Sequence, residues 1–123
     1  MQEEERNAIT EKIIGAAFKV ANVLGCGFLE KVYENALAHE LRKGGLRVVQ
    51  QHPVPVWYDG ALVGYFYADL LVNEEVLIEL KAVEAFADVH TSQCLNYLKG
   101  TGLALCLLIN FGKPRVEFKR LRR

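Results

Sequence analysis

The clearest pattern in the chain is a pair of apolar runs on either side of a short polar break. Tyr65–Val72 and Val76–Leu80 are rich in aromatic and β-branched residues, and a polar Asn-Glu-Glu separates them. Runs of this kind, joined by so short a polar segment, predict a β-hairpin. If the turn is centred on Glu74, position 72 pairs with position 76 and position 69 pairs with position 79.

The predicted register sets Asp69 opposite Glu79 on neighbouring strands. Cross-strand partners point to the same face of a sheet, with Cβ atoms about 5 Å apart. Lys81 follows Glu79 by two residues and shares its face, because side chains alternate along a strand. The apolar residues between them point the other way. One face is therefore predicted to be apolar and the other to carry three charged side chains.

The function of this charged cluster has two interpretations. Two carboxylates so close repel each other unless a proton, a cation or a metal lies between them. Lys81 alone would neutralise the pair in an ordinary salt-bridged cluster. Alternatively, the carboxylates and the backbone carbonyl next to Glu79 form an oxygen-rich site for a hard divalent ion such as Mg²⁺. Lys81 would then orient or deprotonate a water, or stabilise charge on a phosphate. The spacing alone leaves both open.

The segments before the hairpin predict two helices and an edge strand. Apolar residues at helical spacing predict one helix over about residues 4–24 and a second over about 28–43, which ends at a Gly-Gly pair. Residues 46–57 alternate loosely and contain two prolines, which predicts an edge strand or a strand that ends early. With a turn at residues 58–60, the three consecutive strands should form an antiparallel meander.

The segments after Lys81 predict a helical crossover and a central strand. Residues 82–88 are expected to carry some helical character, with Asp88 capping a helix over about 89–99 that ends at Gly100. The uninterrupted apolar run from 103 to 109 is typical of a strand buried on both faces and parallel to an earlier strand.

The whole chain is predicted to form one α/β domain over residues 1–123, with a mixed β-sheet and helices on both of its faces. Within it we distinguish an N-terminal helix (1–24), a core (25–111) and a basic tail (112–123). The tail includes a short last strand near 116–118. Its basic residues are otherwise interpreted as a solvated, partly frayed end that could touch a phosphate backbone.

Two helical stripes contain further candidate residues. Glu30 heads a stripe with Tyr33 on the second helix, and it could cap that helix or reach the strand carboxylates. The spacing does not decide between these. His90, Gln93 and Tyr97 form a stripe on the third helix. Such a stripe is usually just a polar face, but here it follows the Glu-x-Lys strand and could contact substrate. The histidines are left out of the metal site.

Composition and charge limit the class of protein. The chain has 15 basic and 15 acidic residues, so binding to nucleic acid by bulk charge is disfavoured, although a local basic groove remains open. Its three cysteines form no metal or disulfide pattern, which fits a reducing cytoplasm. No apolar run approaches the roughly 20 residues that span a bilayer. We therefore expect a soluble cytoplasmic protein without a membrane partner, and leave a homo-oligomer open.

Four pieces of sequence resemble the PD-(D/E)XK nuclease superfamily. Asp69, the Glu79-Leu80-Lys81 triplet and the Gln-x-x-x-Tyr of Gln93 to Tyr97 match its elements in order. Upstream, Gly27-Phe28-Leu29-Glu30-Lys31-Val32-Tyr33 resembles the signature of the small GxxExxY proteins of that superfamily. The match spans about residues 24–111. Ala68 stands where the superfamily name has Pro, at a position that tolerates change.

This resemblance implies a restriction-endonuclease-like core and a nuclease dependent on Mg²⁺ or Mn²⁺. It assigns Asp69, Glu79 and Lys81 to catalysis and Gln93 and Tyr97 to substrate binding. The implied metal ligands are Glu30, Asp69 and Glu79. A noncatalytic module that binds nucleic acid or protein is the alternative, and a purely structural homo-oligomer is a weaker third, because burying unused charges is costly.

Overall fold

The computed structural model describes residues 2–123, which form three helices and five strands in the order α1, α2, β1, β2, β3, α3, β4, β5. Their bounds are α1 Glu3–Leu24, α2 Glu30–Lys43, β1 Val48–Tyr58, β2 Ala61–Val72, β3 Val76–Lys81, α3 Asp88–Thr101, β4 Leu105–Asn110 and β5 Glu117–Arg122.

The strands form one mixed sheet in the spatial order β1-β2-β3-β4-β5. The first three strands are antiparallel neighbours, so the predicted meander and the edge position of β1 are confirmed. Val72 pairs with Val76, as the predicted hairpin register required. Strand β4 is parallel to β3, because α3 carries the chain back across the sheet before β4 begins. This confirms the central parallel strand.

Both faces of the sheet are covered by helices. Helices α1 and α2 pack on one face, over side chains such as Leu70, Ile78 and Leu107. Helix α3 packs on the other face, over Leu77 and Leu108. Strands β3 and β4 are therefore buried on both sides, which explains their nearly continuous apolar sequences. The predicted α/β class, with a mixed sheet flanked by helices, is confirmed.

The basic tail is a strand, and the prediction of a frayed end was wrong. Strand β5 pairs antiparallel with β4 along its whole length, from Glu117 opposite Asn110 to Arg122 opposite Leu105. Leu121 packs against the α3 core, while the two arginines on either side of it contact side chains of α1. The backbone pairing needs no apolar side chains, and it shields β4 from becoming a sheet edge.

The connection before α3 also differs from the prediction. Residues 82–87 run through bends instead of a helix, and α3 begins at Asp88. Asp88 is therefore not the cap; Ala87 has the extended backbone of an N-cap, and its N–H donates to His90 Nδ1 at 3.1 Å. The helix continues past Gly100 and ends at Gly102, whose φ of 74° is the left-handed conformation that glycine adopts readily.

Within residues 2–123, none of the helices combines the length and the hydrophobicity needed to cross a membrane.

Candidate active site

The site lies where β2 and β3 separate. Their backbone pairing runs from the turn to Leu70 and Ile78. At the next pair, side chains bridge the strands instead: the Leu80 N–H donates to Asp69 Oδ2 at 2.8 Å, and the Asp69 N–H donates to Glu79 Oε1 at 3.1 Å. Each carboxylate is thus held by the backbone of the opposite strand. The structure brings the two predicted carboxylates together.

The regular alternation of β2 breaks at Asp69. Ala68 packs in the α3 core, whereas Leu70, two residues on, packs in the core under α1 and α2. Across from this break, Gln51 in β1 has a φ of 54°, a left-handed conformation that is uncommon outside glycine. Its Nε2 donates to Asp69 Oδ1 at 3.3 Å. Both strands are therefore distorted at the same point, and the distortion turns the Asp69 carboxylate into the gap.

Lys81 reaches the same gap from the end of β3. Its Nζ lies 3.8 Å from Glu79 Oε2 and donates to Gln93 Oε1 of α3 at 3.1 Å. The side chain keeps 19% of its surface exposed, so the ammonium is held in place but remains open to solvent. Gln93 therefore positions Lys81 in the absence of substrate.

Burial and mutual repulsion make the two carboxyl groups hard to ionise together. Burial, followed by the charge of Asp69, raises the pKa of Glu79 to about 8. Burial also raises the pKa of Asp69, against the hydrogen bonds from Leu80 and Gln51 that favour its charged form. The pair thus retains a proton near neutral pH when no other positive charge enters the site.

Glu30 reaches the end of β3 and does not complete a metal cluster with the pair. Its Oε1 accepts a hydrogen bond from the Ala82 N–H at 3.2 Å, one residue beyond Lys81. The loop before it is fixed by Tyr33, whose hydroxyl donates to the Gly25 carbonyl at 2.6 Å and whose ring stacks on Phe111. Within residues 2–123, no group of three or more His, Cys, Asp or Glu side chains lies close enough to hold a metal.

Two residues at this site were missed by the sequence analysis. Glu34 of α2 is 2% exposed, and its carboxylate accepts hydrogen bonds from Lys31, Gln50 and Gln51 at 2.7–3.0 Å. Gln51 joins it to Asp69. The only sequence signal is that Glu34 follows Glu30 by one helical turn, which is equally common on solvated helix faces. The left-handed Gln51 leaves no sequence signal.

A cavity of about 410 Å³ opens next to Lys81, between β2 and α3. The stripe of His90, Gln93 and Tyr97 lines it, as does Phe66. Burial, followed by the charge of Lys81, lowers the pKa of His90, which favours a neutral imidazole. Burial raises the pKa of the Tyr97 phenol, and the nearby carboxylates add to this shift. The walls of the cavity therefore combine apolar and uncharged polar side chains, and Lys81 is the one cation among the described residues that line it.

The backbone beyond Lys81 is fixed by Asn110 and Gly112. The fully buried Asn110 accepts a hydrogen bond from the Val83 N–H at 3.0 Å and donates to the Val83 carbonyl at 2.9 Å. A Cβ on Gly112 would lie 2.3 Å from the Val83 nitrogen. The close approach of these two segments thus requires glycine and holds the end of β3 in register.

We expect Gly112→Ala to destabilise the protein by about 1–3 kcal/mol, the usual cost of overpacking, because backbone atoms must move to admit the methyl group. The matched control is Gly15→Ala in α1, where a Cβ meets nothing within 4 Å and alanine favours the helix. Urea unfolding of both variants tests this. Equal stability of Gly112→Ala and wild type would contradict the tight packing.

Comparison with known proteins places the chain in a family. A sequence profile of the PD-(D/E)XK nuclease superfamily matches residues 7–121, and the chain belongs to this superfamily. No curated protein matches the sequence significantly. Among solved structures, the chain is similar to the crystal structure of an alkaline exonuclease (LHK-Exo) from Laribacter hongkongensis, with a TM-score of 0.57 and 15% sequence identity. The match covers 99% of this chain and 71% of the exonuclease chain.

PD-(D/E)XK nucleases generally use divalent metal ions, and the donors present here fit such an ion. Mg²⁺ is usually bound by one or two carboxylates together with waters and substrate phosphates, without a complete protein cage. Asp69 and Glu79 are two carboxylates that meet this requirement. Burial is the first cause of the raised pKa values of both carboxyl groups, and the charge of Lys81, 3.8 Å from Glu79 Oε2, offsets it only in part.

Proposed function

We propose that the protein is a divalent-metal-dependent nuclease, using Mg²⁺ or Mn²⁺ to hydrolyse phosphodiester bonds in nucleic acid. The observation that carries the proposal is the interlocked pair of Asp69 and Glu79, each bonded to the backbone of the opposite strand, with Lys81 at the same opening. Membership of a nuclease superfamily supports the reaction class.

In this proposal Asp69 and Glu79 hold the metal, and Glu30 acts on it directly or through a water. When bound, the ion polarises the phosphate and lowers the pKa of a water molecule. Lys81 orients the attacking water or stabilises the charge that develops on the phosphate. Gln93 holds Lys81 and contacts the substrate, and Tyr97, which is 2% exposed, acts on the substrate by supporting the ring of Phe66. Since water attacks directly, no covalent enzyme intermediate is required.

We further propose that residues 1–123 act as one nuclease domain. Membership of the GxxExxY group, a cytoplasmic location and a homo-oligomeric state stay predictions. The DNA or RNA preference of the enzyme is left to the assay below.

The test is cleavage of labelled single- and double-stranded DNA and RNA with Mg²⁺ or Mn²⁺, at low salt so that phosphate contacts are not screened. We expect wild type to cut at least one substrate only when metal is present. Asp69→Asn keeps the shape of the side chain but weakens metal binding, and should lower cleavage by about a hundredfold or more. Asp88→Asn, at an exposed helix start, is the matched control.

Binding without turnover by wild type on all four substrates would overturn the proposal in favour of the noncatalytic module. Cleavage by Asp69→Asn at the wild-type rate would place the metal elsewhere.

A further inference from the structure

A groove extends from the proposed active site along the β1–β2 hairpin. The cavity of about 410 Å³ beside Lys81 adjoins a second of about 400 Å³, and the two share Phe66 and Asn96. They therefore lie side by side between the hairpin and α3, and we call the two together the groove. Lys81 lies at its inner end, and Trp57 and Lys99 lie at its outer end.

The walls of the groove present aromatic faces. Phe66 is 46% exposed, although its ring centroid lies 5.7 Å from that of the buried Tyr97, so it is supported from behind and open in front. Trp57 is 61% exposed. A shift of strand register between Val56 and Trp57 brings both side chains to the groove, where strict alternation would separate them. Two aromatic rings are thus aimed at the same groove.

The described residues that line the groove carry positive charge and no negative charge. Of the described residues that line the two cavities, two are lysines and none is a carboxylate, although the chain as a whole has a net charge of zero. Asn96 adds a neutral amide at the junction. Flat apolar surfaces with a cation at each end match a chain of bases joined by phosphates.

We propose that this groove binds a single-stranded nucleic acid and leads it to the active site, with bases stacked on Phe66 and Trp57 and a phosphate beside Lys99. The proposal rests on the proposed nuclease function and specifies its substrate class. The bases of a duplex are already stacked on one another, so they are not free to stack on the aromatic side chains of the groove. Duplex binding depends on many phosphate contacts, and two lysines supply few.

Close packing of the helix under the hairpin forms the floor of the groove. A Cβ on Gly100 of α3 would lie 2.7 Å from Val54 Cγ1 and 3.4 Å from the Pro55 carbonyl oxygen. Glycine therefore allows α3 to approach β1 closely at the outer end.

The test uses Trp57, the one tryptophan of the chain, as a reporter. Its fluorescence is followed during titration with oligothymidylate, or with a hairpin duplex of the same charge, in EDTA so that no cleavage occurs. We expect saturable quenching by the single strand, with at least tenfold weaker binding of the duplex. Equal or tighter binding of the duplex would overturn the proposal.

Matched variants locate the bound strand. Phe66→Ala should weaken single-strand binding about tenfold, the scale of one lost base stack. Tyr65→Ala, an exposed aromatic on the opposite face of the same strand, should leave it unchanged. Equal weakening by both variants would overturn the assignment. Circular dichroism confirms that each variant is folded.

Lys99 provides a check that does not depend on core packing, because its side chain is exposed. Lys99→Ala should reduce the slope of log affinity against log salt by about one, the effect of one lost phosphate contact. Lys12→Ala, an exposed lysine on α1, is the control. An unchanged slope in Lys99→Ala would show that no phosphate contacts Lys99 and would overturn this part of the proposal.

The outcomes separate the groove from the reaction. Single-strand binding that depends on Phe66, without cleavage of any substrate, would keep the groove and overturn the nuclease. Metal-dependent cleavage without binding of the single strand in this groove would support the nuclease proposal and overturn the groove proposal.

Discussion

Replacing Lys81 with alanine is expected to reduce metal-dependent cleavage by about a hundredfold or more while changing nucleic-acid affinity only a few-fold. The ammonium is held by Gln93 at 3.1 Å and lies 3.8 Å from Glu79, at the mouth of the carboxylate pair. A group that acts on the attacking water or on developing charge contributes mainly in the transition state. The loss should therefore appear in kcat, measured with a labelled oligonucleotide, and much less in KM.

Two further variants sharpen this result. Lys81→Arg should rescue little, because a broad guanidinium that stays charged cannot replace a compact ammonium or act as a base. Lys43→Ala, which removes an exposed lysine paired with Glu40 on α2, should leave kcat unchanged. Undiminished turnover in Lys81→Ala would mean that Lys81 is not a catalytic residue.

The second large effect concerns Glu79 and the stability of the metal-free protein. Burial and the neighbouring Asp69 raise the pKa of Glu79 from 4.5 to about 8. Between these values the folded protein keeps a proton that the unfolded chain has lost, so the free energy of unfolding falls as pH rises through this window. A shift of this size corresponds to a loss on the order of a few kcal/mol by pH 9. Glu79→Gln should flatten the slope and melt above wild type at pH 9.

Divalent metal should reverse this loss of stability wherever the Glu79 carboxylate is present. The ion binds the ionised pair, so Mn²⁺ should raise the melting temperature of wild type, and more so as pH rises. Glu79→Gln should respond little. Glu74→Gln, at an exposed position in the turn of the same hairpin, is the control and should behave as wild type. An identical response to Mn²⁺ in Glu79→Gln and wild type would refute this metal site.

The central hairpin illustrates what local pattern can predict. Its turn is short, and each strand has a clear apolar alternation, so the register that pairs Val72 with Val76 followed from the sequence. The same register placed Asp69, Glu79 and Lys81 near one another, and the structure brings them together. The long apolar run of β4 likewise predicted a buried parallel strand.

Other parts of the site depend on contacts between segments that are distant in sequence. Gln51 joins Glu34, 17 positions before it, to Asp69, 18 positions after it. Its left-handed backbone conformation lies within a strand, where no local sequence pattern predicts it. The groove likewise requires the β1–β2 hairpin and α3 to meet. The sequence predicted a short last strand near residues 116–118 but not its continuation to Arg122, because pairing with β4, rather than an alternation of its own, holds β5 in the sheet.

Local sequence pattern was sufficient to predict most helices and strands, the hairpin register and the order of the charged residues, because alternation, turn length and helical spacing act over a few neighbouring positions. Tertiary structure decided how β2 parts from β3, which carboxylates are buried and which aromatic side chains face one groove. Those features depend on burial and on the approach of separate elements, and burial sets the proton affinity of Glu79. The chemistry of the site therefore follows from packing around residues that the sequence had already placed in order.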